Sequence, residues 1–239
     1  MPKPFHFKQF KVYQDNCAMK VGTDGVLLGA WCTCDVANTI LDVGTGTGII
    51  PLMLAQRNST ANITAIEIDV RAAHQAKENI EISSWSNRIS IYSKSYQEFA
   101  KTNQSKFDLI TCNPPFFPRQ KFTIAKGDRR AQARNTIALP FDVLIKLSKK
   151  LLTDQGKLAL IIPKSEHKQI AKIISQNKLY IQRFTKVRPT AKKAIHRHLL
   201  EIVRYDSIIM EQELIIQKGG RNEFTNAYIK LTKDFYTIM

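Results

Sequence analysis

Four consecutive residues, Asn113, Pro114, Pro115 and Phe116, follow the apolar run Phe107–Cys112 and could hold a planar amine. Proline ends a central strand and keeps the preceding residue extended, so the pattern predicts a stiff, exposed turn. An amine attached to an aromatic ring or a carbonyl is a poor nucleophile because its lone pair is delocalised. The Asn113 side-chain oxygen and the Pro114 carbonyl could accept its two hydrogens, and Phe116 could stack on a nucleobase. A rigid loop without chemistry is the alternative.

A second pattern is glycine-rich: Asp42 precedes Gly44, Gly46 and Gly48 at the end of another apolar run. Such glycines let backbone N–H groups approach a ligand closely where a strand passes into a helix. A dinucleotide fingerprint would need glycine where Ile49 stands, so a nicotinamide site is disfavoured. An ordinary turn is the alternative.

Glu67 ends the next apolar run, 23 residues beyond Gly44. A carboxylate at the end of the neighbouring strand can accept both ribose hydroxyls of an adenosine. A solvated acid or a cap of the following helix would explain Glu67 equally well in isolation. Its place after the glycine-rich loop favours the ribose site.

Together the two patterns resemble the class I S-adenosylmethionine-dependent methyltransferases. The resemblance implies that Asp42, Gly44, Gly46, Gly48 and Glu67 bind this cofactor. Members of the family often have an aspartate after the third strand that contacts the cofactor's adenine. This chain has Ser95 and Tyr96 there, so we expect backbone atoms of these two residues to serve.

The Asn-Pro-Pro-aromatic pattern resembles the signature of methyltransferases that act on adenine N6, cytosine N4 or the glutamine amide. It therefore implies the reaction and leaves the substrate open. The methyl donor already carries positive charge, so positioning does most of the work and neither a general base nor a metal is expected.

Positive charge is concentrated in the second half of the chain. Residues 1–112 hold 11 Lys and Arg against 10 Asp and Glu, whereas residues 113–239 hold 25 against 10. This distribution favours a nucleic acid as partner, although a basic soluble surface is the alternative. The basic residues that we expect to bind the nucleic acid, which we take to be RNA, form two groups: Lys121, Lys126, Arg129, Arg130 and Arg134; and Lys186, Arg188, Lys192, Lys193, His196 and Arg197. We expect His196 and His198 to make phosphate or surface contacts and not to bind a metal.

The segments Phe7–Phe10 and Gln14–Trp31 closely resemble the bacterial methyltransferases that modify N6 of adenine 37 in tRNA1(Val). The resemblance implies that Thr23 and Asp24 lie over the methionine end of the cofactor; capping of a helix is the alternative. It also implies that the acceptor adenine is extruded from the anticodon loop. A protein glutamine N5-methyltransferase, another RNA adenine N6-methyltransferase, a DNA adenine methyltransferase and a non-catalytic RNA-binding module remain alternatives.

These sites require strands and helices in alternation. Periodicity predicts the strands 40–43, 63–68, 89–92, 107–112, 157–162, 179–187 and 199–205. It predicts helices over 49–56 and 141–152, and others around Ala76 and Ile173. We therefore expect one domain over 1–239, with 1–31 covering the cofactor. Its predicted fold is the α/β, seven-stranded, Rossmann-like class I methyltransferase sheet, parallel and with helices on both faces.

Composition excludes several classes. No apolar run approaches the roughly 20 residues of a membrane-spanning helix, and the N-terminus lacks the apolar stretch of a signal peptide. The four cysteines show no C-x-x-C spacing, which disfavours a zinc site and favours reduced thiols. We expect a cytoplasmic enzyme of undetermined oligomeric state.

Overall fold

The computed structural model describes residues 3–114, 139–220 and 222–238. The strands are β1 (Phe5–His6), β2 (Lys11–Val12), β3 (Thr39–Val43), β4 (Asn62–Glu67), β5 (Ile89–Ser93), β6 (Phe107–Cys112), β7 (Leu152–Pro163), β8 (Tyr180–Thr190), β9 (Arg197–Val203) and β10 (Met210–Gln217). The helices are α1 (Thr23–Trp31), α2 (Ile49–Arg57), α3 (Val70–Glu81), α4 (Tyr96–Thr102), α5 (Phe141–Leu151), α6 (His167–Gln176) and α7 (Asn226–Thr232). A 3-10 turn, Lys164–Glu166, precedes α6.

Eight strands form the main sheet in the order β10-β8-β9-β7-β6-β3-β4-β5. Two expectations are corrected here. The sheet has one strand more than predicted, because the C-terminal tail, residues 206–239, supplies β10 beside β8. The sheet is also mixed and not wholly parallel, since β9 runs antiparallel to both β7 and β8. The short β8–β9 connection explains this, because a hairpin reverses the chain whereas a parallel pair needs a long crossover.

Helices cover both faces of the sheet, as expected. On one face, α1, α2, α3 and α7 pack over buried side chains such as Leu28, Met53 and Ile161. On the other face, α4, α5 and α6 pack over a second cluster that includes Phe99, Leu144 and Ile170. The alternation of faces along β7 shows the origin of this division, since Ile161 belongs to the first cluster and Ile162 to the second.

The start of β7 differs from the predicted strand, which was expected to begin at residue 157. The strand begins at Leu152, directly after α5, and Gly156 lies within it. The pairing of β6 with β7 is irregular between Phe107 and Leu109. A side chain at Gly156 would lie 2.7 Å from the Phe107 carbonyl oxygen, so glycine permits this close backbone approach.

The chain termini pack together on the first face. The hairpin β1–β2 places Phe7 against Tyr236, with ring centroids 5.8 Å apart, and the Lys8 N–H donates to the Phe235 carbonyl at 2.8 Å. The helix α7 packs on α1 and β10. The tail therefore adds an edge strand and covers part of the core.

Candidate active site

A cavity of about 690 Å³ lies at the carboxyl ends of β3, β4 and β6. Parallel strands deliver their carboxyl ends to the same edge, where open α/β sheets bind their ligands. The segment from Cys17 to Gly25 and the β8–β9 connection also line the cavity. The predicted site residues that line it are Thr23, Asp24, Gly44, Gly46, Glu67, Ser95, Tyr96, Asn113, Pro114, His196 and Arg197.

Two glycines of the loop leave room for a ligand. Gly44 and Gly46 have φ values of 71° and 56°, a region that side chains disfavour. A Cβ atom added to either residue would meet nothing within 4 Å, so the space beside them is open. Gly48 differs: a Cβ atom there would lie 3.3 Å from that of Ala76. Gly48 does not line the cavity, and its place is explained by the packing of α2 against α3.

Glu67 is held by backbone donors. Its two carboxylate oxygens accept from the N–H groups of Gly46 at 2.9 Å and Asp69 at 3.0 Å. Burial raises the pKa of Glu67, and these hydrogen bonds oppose the rise. A carboxylate has about four acceptor positions, so these backbone donors leave acceptor capacity for a hydroxyl donor from the cavity. Asp69, and not Glu67, caps α3, which removes the capping alternative for Glu67.

Asp42 lies beneath the loop and does not line the cavity. One of its oxygens accepts from the Thr111 hydroxyl at 2.6 Å. The other oxygen is buried without a hydrogen-bond partner among the residues that the structure describes. Burial raises the pKa of Asp42 to about 6, although the Thr111 hydrogen bond lowers it. The structure thus places Asp42 behind the residues that line the cavity, and its contact with the cofactor stays a prediction.

The side chains of Ser95 and Tyr96 are already engaged. Ser95 caps α4 in a reciprocal arrangement with Glu98, whose N–H donates to the Ser95 hydroxyl at 3.2 Å. The buried Tyr96 hydroxyl hydrogen-bonds that of Ser148 at 3.0 Å. The structure is therefore consistent with the expectation that these residues offer backbone atoms to the cavity.

Asn113 and Pro114 follow β6 directly and lie on the cavity wall, with Asn113 half-buried. The helix α1 begins beside Asn113: a Cβ atom on Gly25 would lie 4.0 Å from the Asn113 side-chain nitrogen. The amide thus shares the cavity with the glycine-rich loop and Glu67. Pro115 and Phe116 lie outside the described residues, so their roles stay predictions.

Thr23 and Asp24 do not cap α1, whose N-cap is Gly22 without a side-chain cap. The Asp24 carboxylate instead accepts from Arg197 Nε at 2.8 Å. This ion pair joins two groups that were expected to bind different ligands, Asp24 the cofactor and Arg197 the RNA. It connects the start of α1 to the start of β9 at the cavity.

The β8–β9 connection lies at the same edge of the sheet, since His196 lines the cavity. Two basic residues of β8 face acids of β10, because Lys186 pairs with Glu211 and Arg188 with Glu213. Lys192 and Lys193 lie in the exposed turn. The other predicted RNA-binding residues lie outside the described residues: Lys121, Lys126, Arg129, Arg130 and Arg134.

The expectation that His198 makes phosphate or surface contacts is wrong. Its ring is buried edge-on against the stacked rings of Phe184 and His167, with ring centroids 4.8 and 4.7 Å away. It points to the α6 face because successive residues of β9 alternate between faces. Burial, His167 and Lys186 lower the pKa of His198 to about 4, so this imidazole is neutral at physiological pH. His196 is exposed and lines the cavity.

Sequence reasoning missed Asn79, a buried residue of α3. Its side chain accepts from the Tyr13 N–H at 2.8 Å and donates to the carbonyls of Tyr13 at 2.8 Å and Thr47 at 2.9 Å. Asn79 therefore ties the N-terminal segment to the glycine-rich loop. An asparagine on the apolar face of α3, beside Ala76 and Ile80, was the signal that could have revealed it.

Across residues 3–114, 139–220 and 222–238, no group of three His, Cys, Asp or Glu residues is arranged to hold a metal ion. Within the same residues, no helix combines the length and apolarity needed to cross a membrane. The four cysteines are free thiols.

Comparisons with known proteins agree with this geometry. Residues 22–193 match the model of the methyltransferase small domain family. A protein of Flavobacterium psychrophilum named tRNA1(Val) (adenine(37)-N6)-methyltransferase is 42% identical over 236 residues, covering 98% of this chain and 100% of that protein. A protein of the same name from Christiangramia forsetii is 43% identical and covers 98% of each chain.

The fold has solved counterparts. A predicted O-methyltransferase from Agrobacterium tumefaciens superposes with a TM-score of 0.69 at 19% identity, covering 89% of this chain and 96% of that one. At this identity the likeness shows the fold alone. By its family model and its relatives, the chain belongs to the methyltransferase small domain family, among the tRNA1(Val) (adenine(37)-N6)-methyltransferases.

Proposed function

We propose that this protein transfers a methyl group from S-adenosylmethionine to N6 of adenine 37 in tRNA1(Val). The observation that carries the proposal is the meeting of Asn113 with the glycine-rich loop and Glu67 in one cavity. The relatives that bear this name support the substrate, since they match nearly the whole chain at 42% and 43% identity.

The cavity fits the methyl donor. The open space beside Gly44 and Gly46 admits a ligand against the loop backbone, and Glu67 retains acceptor positions for ribose hydroxyls. Thr23 and Asp24 also line the cavity, where they would cover the methionine end of the cofactor. When bound, S-adenosylmethionine supplies an electrophilic methyl group on a positively charged sulfur.

Asn113 and Pro114 would orient the acceptor. The adenine amine has two hydrogens, which the Asn113 side-chain oxygen and the Pro114 carbonyl would accept. Holding both hydrogens turns the nitrogen lone pair out of conjugation as the new bond forms. Phe116 would stack on the base from the segment that follows. Orientation of this kind lowers the barrier through positioning.

The RNA would approach along the basic edge. Lys192, Lys193 and His196 lie there, and the predicted group from Lys121 to Arg134 follows the acceptor residues in sequence. Adenine 37 would be extruded from the anticodon loop into the cavity, and phosphate contacts would supply much of the affinity. A tRNA substrate places the enzyme in the cytoplasm.

The test is a methyl-transfer assay with labelled S-adenosylmethionine and bulk tRNA from a strain that lacks the gene. Nucleosides would be separated by mass spectrometry. Label in N6-methyladenosine of tRNA1(Val) would support the proposal. Label found only in protein would replace it with glutamine methylation, and absence of both transfer and cofactor binding would indicate a non-catalytic RNA-binding module.

A further inference from the structure

Several basic residues that were expected to bind RNA are paired with acidic side chains in the structure. Beside the β8–β9 connection, Lys186 and Arg188 of β8 and Arg197 of β9 each pair with a carboxylate. A cation that already has an acidic partner gains less from a phosphate, because the phosphate must compete with that carboxylate. Lys192 and Lys193 of the exposed turn are in no ion pair of the described residues, and a further group of such lysines lies near the same edge.

This further group lies on the turn before α6 and on α6 itself, where Lys164, Lys168 and Lys172 follow one another at four-residue intervals. All three are exposed, and none has an acidic partner among the ion pairs of the described residues. We call them the α6 lysine row.

The row begins at the active edge of the sheet. Lys164 follows Pro163, the last residue of β7. In the sheet β7 lies beside β6, the strand that ends just before Asn113. The Lys164 N–H donates to the His196 carbonyl at 3.2 Å, which fixes the start of the row against the β8–β9 connection. The row is thus continuous with the exposed turn that carries Lys192 and Lys193.

The other two lysines extend the row away from that edge. Ile170 and Ile174 of α6 are buried against the sheet, so Lys168 and Lys172, each two residues away, point outward. They lie one helical turn apart, with Cβ atoms about 6 Å from each other. This spacing allows each ammonium group to reach a different phosphate.

Charge is also unequal between the two faces of the sheet. The helices α4, α5 and α6, with the 3-10 turn, contain seven lysines and three acids. The helices α1, α2, α3 and α7 contain four lysines and arginines and three acids. Two of the seven lysines, Lys149 and Lys150, donate to backbone carbonyls. Of the other five, Lys164, Lys168 and Lys172 form a row that starts at the active edge of the sheet, which places them to attract a polyanion there.

We propose that the α6 lysine row binds the phosphate backbone of the substrate RNA on the side flanking the nucleotide that enters the cavity. The inference rests on the proposed function, since it assigns the path of the RNA that this function requires. The RNA backbone would run from the β8–β9 connection past Lys164 and down the outer face of α6.

The test compares two double charge reversals. Lys168→Glu with Lys172→Glu changes the row, and Lys230→Glu with Lys233→Glu makes the same change in net charge at exposed positions on and just after α7, on the other face. Affinity for tRNA1(Val) transcript is measured between 50 and 200 mM salt, together with steady-state methylation kinetics. Thermal unfolding and S-adenosylmethionine affinity report whether each variant keeps its fold and cofactor site.

The row variant is expected to bind tRNA at least about tenfold more weakly and to lose roughly 1.4 to 1.8 from the slope of log affinity against log salt, the value for two phosphate contacts. Its KM for tRNA rises while kcat stays near that of the wild type. The α7 variant keeps wild-type affinity and slope.

Equal tRNA affinity in the row variant and the wild type overturns the inference, as does an equal loss in the α7 variant. Lys168→Ala with Lys172→Ala is a milder pair for which the same direction is expected if the glutamates disturb the helix. Wild-type protein that neither binds nor methylates tRNA refutes the proposed function itself, which is a different outcome from a tRNA-active enzyme that is insensitive to the row.

Discussion

At the scale of single residues, the residues proposed to bind the acceptor and the cofactor come from different strands. Asn113 is a half-buried amide at the end of β6, beside the start of α1. Glu67 is a buried carboxylate at the end of β4, held by the Gly46 and Asp69 N–H groups. Because these side chains come from different strands, each can be removed with limited effect on the other.

Substitution of Asn113 and of Glu67 should affect different steps. Asn113→Ala removes an acceptor for the amine, so kcat should fall by about 100-fold or more while S-adenosylmethionine affinity stays within about threefold. Glu67→Ala removes the ribose acceptor and a partner of Gly46, so cofactor affinity should fall by roughly tenfold or more. Calorimetry and single-turnover kinetics measure the two effects. Normal turnover in Asn113→Ala would exclude its catalytic role, and unchanged affinity in Glu67→Ala would remove it from the ribose site.

Asp42 gives a pH-dependent prediction. Because burial raises its pKa from 3.8 to about 6, the folded protein retains a proton that the unfolded chain has lost. The stability that Asp42 contributes is present at acidic pH and is lost as the pH rises through about 6. Asp42→Asn stays neutral, so its free energy of unfolding relative to wild type should rise between pH 4 and 7.5, by about 2 kcal/mol. Urea unfolding of both proteins at the two pH values tests this, and a constant difference would show that Asp42 titrates normally.

At the scale of elements, the N-terminal segment is positioned by the helix α3. Asn79 holds Tyr13 through both of its backbone groups and holds the Thr47 carbonyl of the glycine-rich loop. The Gln14 side chain accepts from the Val21 N–H at 2.8 Å, which closes the segment that lines the cavity. One helix therefore positions two walls of the cavity.

Asn79→Ala should weaken S-adenosylmethionine binding by about tenfold, because the segment and the loop lose their shared partner. The KM for the cofactor should rise with little change in kcat at saturation. Asn58→Ala is a matched control: Asn58 is also buried and donates to the Cys34 and Ala37 carbonyls, away from the cavity. Both variants should lose stability, but only Asn79→Ala should lose cofactor affinity. Equal affinities in the two variants would reduce Asn79 to a structural residue.

At the scale of the whole molecule, the two ends of the chain complete one core. Phe235 is 2% exposed and belongs to the cluster that also contains Phe7, Leu28 and Met53. The tail therefore stabilises the face that carries α1, whose first residues line the cavity. Removing contacts in the tail should lower the free energy of unfolding.

Phe235→Ala should lower the free energy of unfolding by about 3–5 kcal/mol, since it leaves a cavity in the core. Ile238, which is 92% exposed, provides the control, because Ile238→Ala removes little buried surface. Urea unfolding measures both. A cost below about 1 kcal/mol for Phe235→Ala would mean that the tail packs loosely and that the core is complete without it.

Local patterns in the sequence were sufficient for the chemistry and most elements. Asn113, Gly44 and Glu67 each stand directly after an apolar run, and parallel strands bring their carboxyl ends to one edge. This placement follows from strand direction alone, so it could be predicted without knowledge of side-chain contacts. The positions of α2, α3 and β6 were likewise predictable, because their apolar periodicity is local.

Other features depended on partners that are distant in sequence. Nothing local shows that Arg197 pairs with Asp24, 173 residues away, or that Lys186 and Arg188 face the acids of β10. The burial of His198 follows from its register in β9 against α6. The extra strand, β10, was not predicted, because the strand pattern in the tail is weak. The sequence by itself determined the order of elements, which depends on local periodicity, and its motifs implied the reaction through their resemblance to class I methyltransferases. Only the tertiary structure decided which charges stay available to RNA, because pairing and burial are set by the packing of distant segments.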